Sequence, residues 1–97
     1  MAKLVVLPAA LQDLIEIGDF IALDDPQRAR SFIADIEKTL IKIADRPSSF
    51  PARDDLHPGI RAGRHGRYLI FFQMVATEVH VVRVLHGARD IPRILAS

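Results

Sequence analysis

Apolar residues recur along this chain with two periods, and the change between them divides it. Lys3 to Leu7 is a short apolar run that predicts a strand, stopped by Pro8. From Pro8 the apolar positions Leu11, Leu14, Ile15, Gly18 and Ile21 return at helical spacing, with Gln12, Asp13, Glu16 and Asp19 mostly opposite. Gly18 weakens such a helix by about 1 kcal/mol relative to Ala, a cost that close packing against a neighbour would justify. In "LDDPQRA", Asp25 is placed to cap a second helix and Pro26 fits its first position. That helix carries the clearest stripe in the chain: Ala29, Phe32, Ile33, Ile36, Leu40 and Ile43. It ends at Arg46, because Pro47 disfavours helix in the residue before it.

Residues 46–59, "RPSSFPARDDLHPG", are irregular by composition. The period then changes to two. Ile60 to Arg64, "RYLIFFQMV" and "EVHVVRVLH" predict three strands, turning at His65-Gly66 and at Ala76-Thr77. "ARDIPRIL" is a tail or helical stub whose Ile91, Ile94 and Leu95 are available to pack. The expected fold is α+β with element order βααβββ: an N-terminal helical hairpin on one face of a mainly antiparallel sheet, in one domain over 1–97.

The strand at 67–75 does not alternate cleanly. Tyr68, Ile70, Phe72 and Met74 make one set, and Leu69, Phe71 and Val75 make the other, so both faces are apolar. Two helices shield one face. Leaving two or three large side chains of the other in water forfeits several kcal/mol, at about 25 cal/mol per Å2. The second face therefore needs a cover: the C-terminal tail, a second copy or another protein. Arg83 sits among valines in the last strand, where an unpaired guanidinium could not be buried cheaply. With a two-residue turn at Ala76-Thr77 it falls opposite Ile70, on the open face unless an acidic residue pairs with it. Arg61 is a candidate to share that face, with His86, Arg89 and Arg93 at and beyond the strand end.

Charge changes this picture more than composition does. The chain has 97 residues, 49% of them hydrophobic, and a net charge of only +1. Residues 1–45 hold five basic and eight acidic side chains, net −3; residues 46–97 hold eight arginines, no lysine and four acidic side chains, net +4. Guanidinium forks bind carboxylates and phosphates bidentately, so the second half suits an acidic partner. The absence of cysteine excludes disulfides and thiolate metal sites, and fits a reducing, cytoplasmic setting. No apolar stretch approaches the ~20 residues of a membrane span, and the N-terminal run breaks too early for a signal peptide. Among His57, His65, His80 and His86 only His80 and His86 share a strand, no other paired ligand spacing or glycine-rich phosphate loop is present, and no metal or cofactor is expected.

Several motifs stand in order. They are Ala10-x-x-Asp13-Leu14-x-x-Ile17-x-x-Phe20-Ile21-Ala22, Pro26-x-x-Ala29-x-x-Phe32-Ile33-x-x-Ile36, Pro47, Gly59-Ile60-Arg61, Gly66-Arg67-Tyr68-Leu69-Ile70-Phe71-Phe72, and Arg83-Val84-Leu85-His86-Gly87-Ala88-Arg89-Asp90. In these the chain resembles the ParE branch of the RelE/ParE toxin superfamily, the toxin halves of type II toxin–antitoxin pairs, also called plasmid stabilisation proteins. The resemblance runs from about Leu7 to Arg93. Phe72 stands where the family often has Tyr, and Ser48-Ser49-Phe50 replaces a common glycine.

The resemblance implies the same βααβββ fold and a ParD-like antitoxin partner. The antitoxin's disordered, acidic C-terminal segment would fold over the toxin in a hetero-oligomer. It implies inhibition of DNA gyrase through protein contacts, with no sequence-specific DNA binding by the toxin alone. Arg61, Arg83, His86, Arg89 and Arg93 are then the candidate contacts with target or antitoxin. The alternative is the ribosome-dependent messenger RNA cleavage of the RelE branch. There Arg61 and Arg83 would be the phosphate cations and His86 the base or acid. That set lacks a second proton-transfer group, since Tyr68 reads as lying in mid-strand.

Overall fold

Pro8 separates the first strand from the first helix, and the remaining boundaries follow the same local chemistry. The computed structural model describes residues 1–96. Its elements are β1 (Lys3–Val6), α1 (Pro8–Asp24), α2 (Pro26–Asp45), β2 (Arg61–His65), β3 (Tyr68–Val75), β4 (Glu78–His86) and α3 (Ile91–Ala96), with a 3-10 turn at Pro47–Ser49. Asp25 closes α1 with its own N–H on the Ile21 carbonyl, and caps α2 by accepting the Arg28 N–H at 3.1 Å. One residue therefore ends one helix and begins the next, which folds the hairpin sharply. The α+β expectation holds.

The strands lie in the order β1-β4-β3-β2. β1 runs parallel to β4, while β2–β3 and β3–β4 are antiparallel. Between the helices and the sheet lies the main core, built on Ala10, Ile36, Leu40, Ile43, Ile70, Phe72, Val79, Val81 and Val84. Phe71 and Leu85 point to the opposite face, yet both are fully buried. Ile60, Ala62 and Ile91 bury them, with Leu56, Ile94 and Leu95 packed around the cluster. Of the three covers expected for the second face, the chain's own tail and the 52–60 segment supply this part. The rationale for an outside cover on Phe71 and Leu85 is thereby removed.

Two further expectations change. Phe72 pairs with Val81 but Phe71 pairs with Arg83, so Val82 is an extra residue in β4. This bulge moves Arg83 opposite Phe71 instead of Ile70, because every pairing beyond it shifts by one. The inward face of α1 also differs. Ala10 and Asp13 are buried with Leu14 and Ile17 beside them, while Leu11 and Ile15 are about half exposed. Phe20 and Leu23 are more exposed still, at 72% and 85%. The surplus apolar surface thus lies on the first helix, more than on the sheet.

Candidate functional site

The turn from β2 to β3 takes two residues, Gly66 and Arg67, and brings His65 opposite Tyr68. Tyr68 is also opposite His86, the last residue of β4. Three ring-bearing residues therefore sit side by side at one end of the sheet, because strand register places them there. Phe32 reaches them from α2. The rings contact edge to face in series: His65 to Phe32 at 5.4 Å, Phe32 to Tyr68 at 5.1 Å, Tyr68 to His86 at 5.2 Å between centroids.

Backbone bonds fix the segment after β4 against this turn. Gly87 N–H donates to the Arg67 carbonyl at 2.8 Å, and Arg89 N–H to the His86 carbonyl at 3.0 Å. Ala88 N–H donates to His86 Nδ1 at 3.0 Å, so the neutral imidazole carries its proton on Nε2. The Tyr68 hydroxyl has no hydrogen-bond partner among the described residues. Above the rings, the end of α1 and the start of α2 leave a cleft of two lobes that share Phe20, Tyr68 and His86. The larger lobe holds about 630 Å3 and is bordered by Asp24, Asp25, Arg28, Phe32, His65 and Arg67. The smaller holds about 220 Å3 and is bordered by Glu16, Ile17, Val84 and Arg89.

Of the residues singled out from sequence, His86 and Arg89 line this cleft. Arg93 is exposed on α3, outside it. Arg83 has an internal partner. Its Nε donates to Asp13 Oδ2 at 2.7 Å and its Nη2 to Asp13 Oδ1 at 2.8 Å. The hydrogen bonds that Arg83 donates to Asp13, and the negative charge of that carboxylate, raise the Arg83 pKa above the usual guanidinium value. Arg61 donates to the Phe50 carbonyl. It pairs with Phe72, four residues along β3 from Tyr68, or roughly 13 Å at strand spacing. The Arg61, Arg83 and His86 set is therefore not assembled around one point.

The eight arginines of residues 46–97 divide evenly. Arg46, Arg53, Arg61 and Arg83 bond to Asp45, Asp55, the Phe50 carbonyl and Asp13 respectively. The side chains of Arg64, Arg67, Arg89 and Arg93 make no ion pair or hydrogen bond among the described residues. Sequence reasoning overlooked Arg67, Arg28, Phe20, Phe32, His65 and Tyr68 as a group. The available signals were the short His65-Gly66-Arg67-Tyr68 turn and the i, i+4 spacing of Arg28 and Phe32. No three His, Asp or Glu side chains gather as a metal site among the described residues, and none of their helices is long and apolar enough to cross a membrane.

The family model for "ParE toxin of type II toxin-antitoxin system, parDE" matches residues 4–91, most of the chain. This chain belongs to the ParE toxin family. The match includes the residues that build the cleft, from Asp13 on α1 to Arg89 after β4, and stops at the first residue of α3. A solved structure described as a chromosomal ParDE TA system from P. aeruginosa has the same fold, with a TM-score of 0.75 at 21% identity. The superposition covers 89% of this chain and 96% of that one. No curated protein sequence matches significantly. The chain is thus a ParE-type toxin of a type II toxin–antitoxin system, and the cleft is a feature of a ParE fold.

Proposed function

We propose that this ParE family member inhibits DNA gyrase through protein contacts, in the cytoplasm, and performs no chemistry of its own. The observation that carries this reading is the fork between Arg83 and Asp13. RNA cleavage on this fold is expected to draw its phosphate cations from Arg61 and Arg83, and neither is free beside His86. Arg83 is committed to a carboxylate, and Arg61 is held at a distant point of the sheet. What stays available is a recognition surface: His86 and Arg89 at the strand end, and Arg93 on α3. These are the contacts we assign to the target or the antitoxin.

The antitoxin side of the proposal rests on surface chemistry. Leu11, Ile15, Phe20 and Leu23 are exposed on α1, and covering what remains open of each is worth about 1–2.5 kcal/mol. Arg64, Arg67, Arg89 and Arg93, whose side chains have no ion pair or hydrogen bond among the described residues, add positive charge. An acidic, amphipathic antitoxin segment satisfies both, and the resulting hetero-oligomer shields the toxin.

The deciding experiment incubates purified protein with gyrase and supercoiled DNA and measures cleaved DNA trapped by detergent. Accumulation of cleaved DNA, relieved by the neighbouring gene product, is the expected result. A second reading, messenger RNA cleavage, draws on the contact of Tyr68 with His86, which brings two proton-transfer groups together. If messages are cut in ribosomal A sites, His86→Ala abolishes the cutting and gyrase is unaffected, this second reading replaces the first.

A further inference from the structure

The two-lobed cleft has more unsatisfied donors than its own chain supplies acceptors. The Arg28, Arg67 and Arg89 side chains have no ion pair or hydrogen bond among the described residues, and neither has the Tyr68 hydroxyl. His86 adds an Nε2–H, because Nδ1 already accepts from Ala88. Of the bordering carboxylates, Asp13 takes Arg83 and the Val84 N–H, Asp25 caps α2, and Glu16 accepts from Gln12. Only Asp24 is without a partner among the described residues. The walls between these donors are aromatic: Tyr68 and His86 at the base and Phe20, 72% exposed, on the rim. The cleft thus combines flat apolar surfaces with three guanidinium groups that bond to none of its carboxylates, Glu16, Asp24 and Asp25 among them.

We infer that this cleft binds an unpaired nucleotide, its base against Phe20, Tyr68 and His86 and its phosphate on Arg67 with Arg28 or Arg89. Base stacking on aromatic side chains beside guanidinium groups is the general mode of single-strand recognition. The larger lobe, at about 630 Å3, falls in the range that encloses a small ligand, and the smaller one, at about 220 Å3, extends it. A duplex does not fit this chemistry, since its bases present no face to a recessed ring. Stacking reads no sequence, so such binding is compatible with a toxin that does not select DNA sites. The inference goes beyond gyrase inhibition and does not depend on it. The nucleotide can be free or part of a strand, and the test separates the two.

The test uses the full chain and fluorescence anisotropy of a short labelled oligothymidylate, with thymidine monophosphate as competitor and a duplex of equal length as comparison. The single strand is expected to bind with salt-dependent affinity, and the duplex more weakly. Phe20→Ala and Arg67→Ala should each weaken binding roughly tenfold, while Lys38→Ala, an exposed charge on the outer side of α2, should not. Phe20 and Arg67 are both exposed, so the variants should keep wild-type thermal melts, which are measured alongside. Competition by the monophosphate at millimolar concentration identifies a free nucleotide as sufficient; failure to compete assigns the site to strands. The inference is overturned if no strand or nucleotide binds, if both cleft variants bind as wild type, or if Lys38→Ala loses as much as Arg67→Ala. It is also overturned if a labelled Glu- and Leu-rich peptide binds the cleft and the oligonucleotide does not.

Discussion

Asp13 on the first helix holds Arg83 on the last strand in a two-pronged ion pair, with both N–H···O distances under 3 Å. The same carboxylate accepts the Val84 N–H at 2.9 Å, one residue past the bulge. The bulge takes β4 out of step with β3, and Asp13 ties that irregular stretch to α1. Asp13 is 5% exposed, so it enters the core fully paired. Removing it leaves a guanidinium and a backbone donor without partners. Asp13→Ala is expected to lower stability by about 3 kcal/mol in urea unfolding. Arg83→Met combined with Asp13→Leu should lose less than the sum of the single changes, since neither charge is then stranded.

Gly18 lies in mid-α1, where a methyl group would stand 3.7 Å from Ile33 Cδ1. That is ordinary contact, so close packing does not require glycine here. Gly18→Ala should raise stability by about 0.5–1 kcal/mol, through helix propensity and a less disordered unfolded chain. In a domain of this size the melting temperature should rise by roughly 3–6 °C. A fall would mean that α1 and α2 approach more closely than these distances show.

The two hairpin turns make a matched pair. Gly66 begins the first with φ of 58°, and Ala76 begins the second with φ of 56°. A side chain in this left-handed region is strained, and glycine is not. Ala76→Gly should therefore stabilise by a few tenths to about 1 kcal/mol, and Gly66→Ala should destabilise by about 1 kcal/mol. Opposite signs in parallel chemical melts are the expected result. Equal signs would exclude backbone strain as the cause.

These residues also mark where sequence periodicity stops informing. The capped hairpin was legible because Asp25, Pro26 and the Ala29–Ile43 stripe act within a few residues of one another. The tail was legible as packing material because Ile91, Ile94 and Leu95 share helical spacing. Asp13 was not, since at helical spacing it groups with Gln12 and Glu16, and its partner is 70 residues away. The bulge at Val82 has no glycine or proline to announce it, so Arg83 was set against the wrong neighbour. The cleft shares that difficulty. Tyr68 reads from sequence as part of a strand interior, but it is the first residue of β3, where register sets it next to His86.

At the other end of β4, Glu78 makes the contacts from which a pH dependence follows. His80 Nε2–H donates to its Oε1 at 3.0 Å, and Lys3, its register partner on β1, brings Nζ to 3.6 Å from Oε2. The His80 hydrogen bond first, and the Lys3 charge with it, hold the Glu78 carboxyl below the usual glutamate range. A carboxyl with a lower pKa folded than unfolded binds its proton more readily in the unfolded chain. Its contribution is therefore complete above the ordinary glutamate pKa, and is lost as acid carries the pH down through the lowered value. Glu78→Gln should melt below wild type at neutral pH, and the gap should close progressively on acidification past the glutamate range. His80→Ala should remove much of the same gap, and Lys3→Ala a smaller part that added salt also removes. Thermal melts of the four proteins from neutral to acidic pH check this: a gap that widens in acid would reverse the sign and rule out the His80–Glu78 contact as its source.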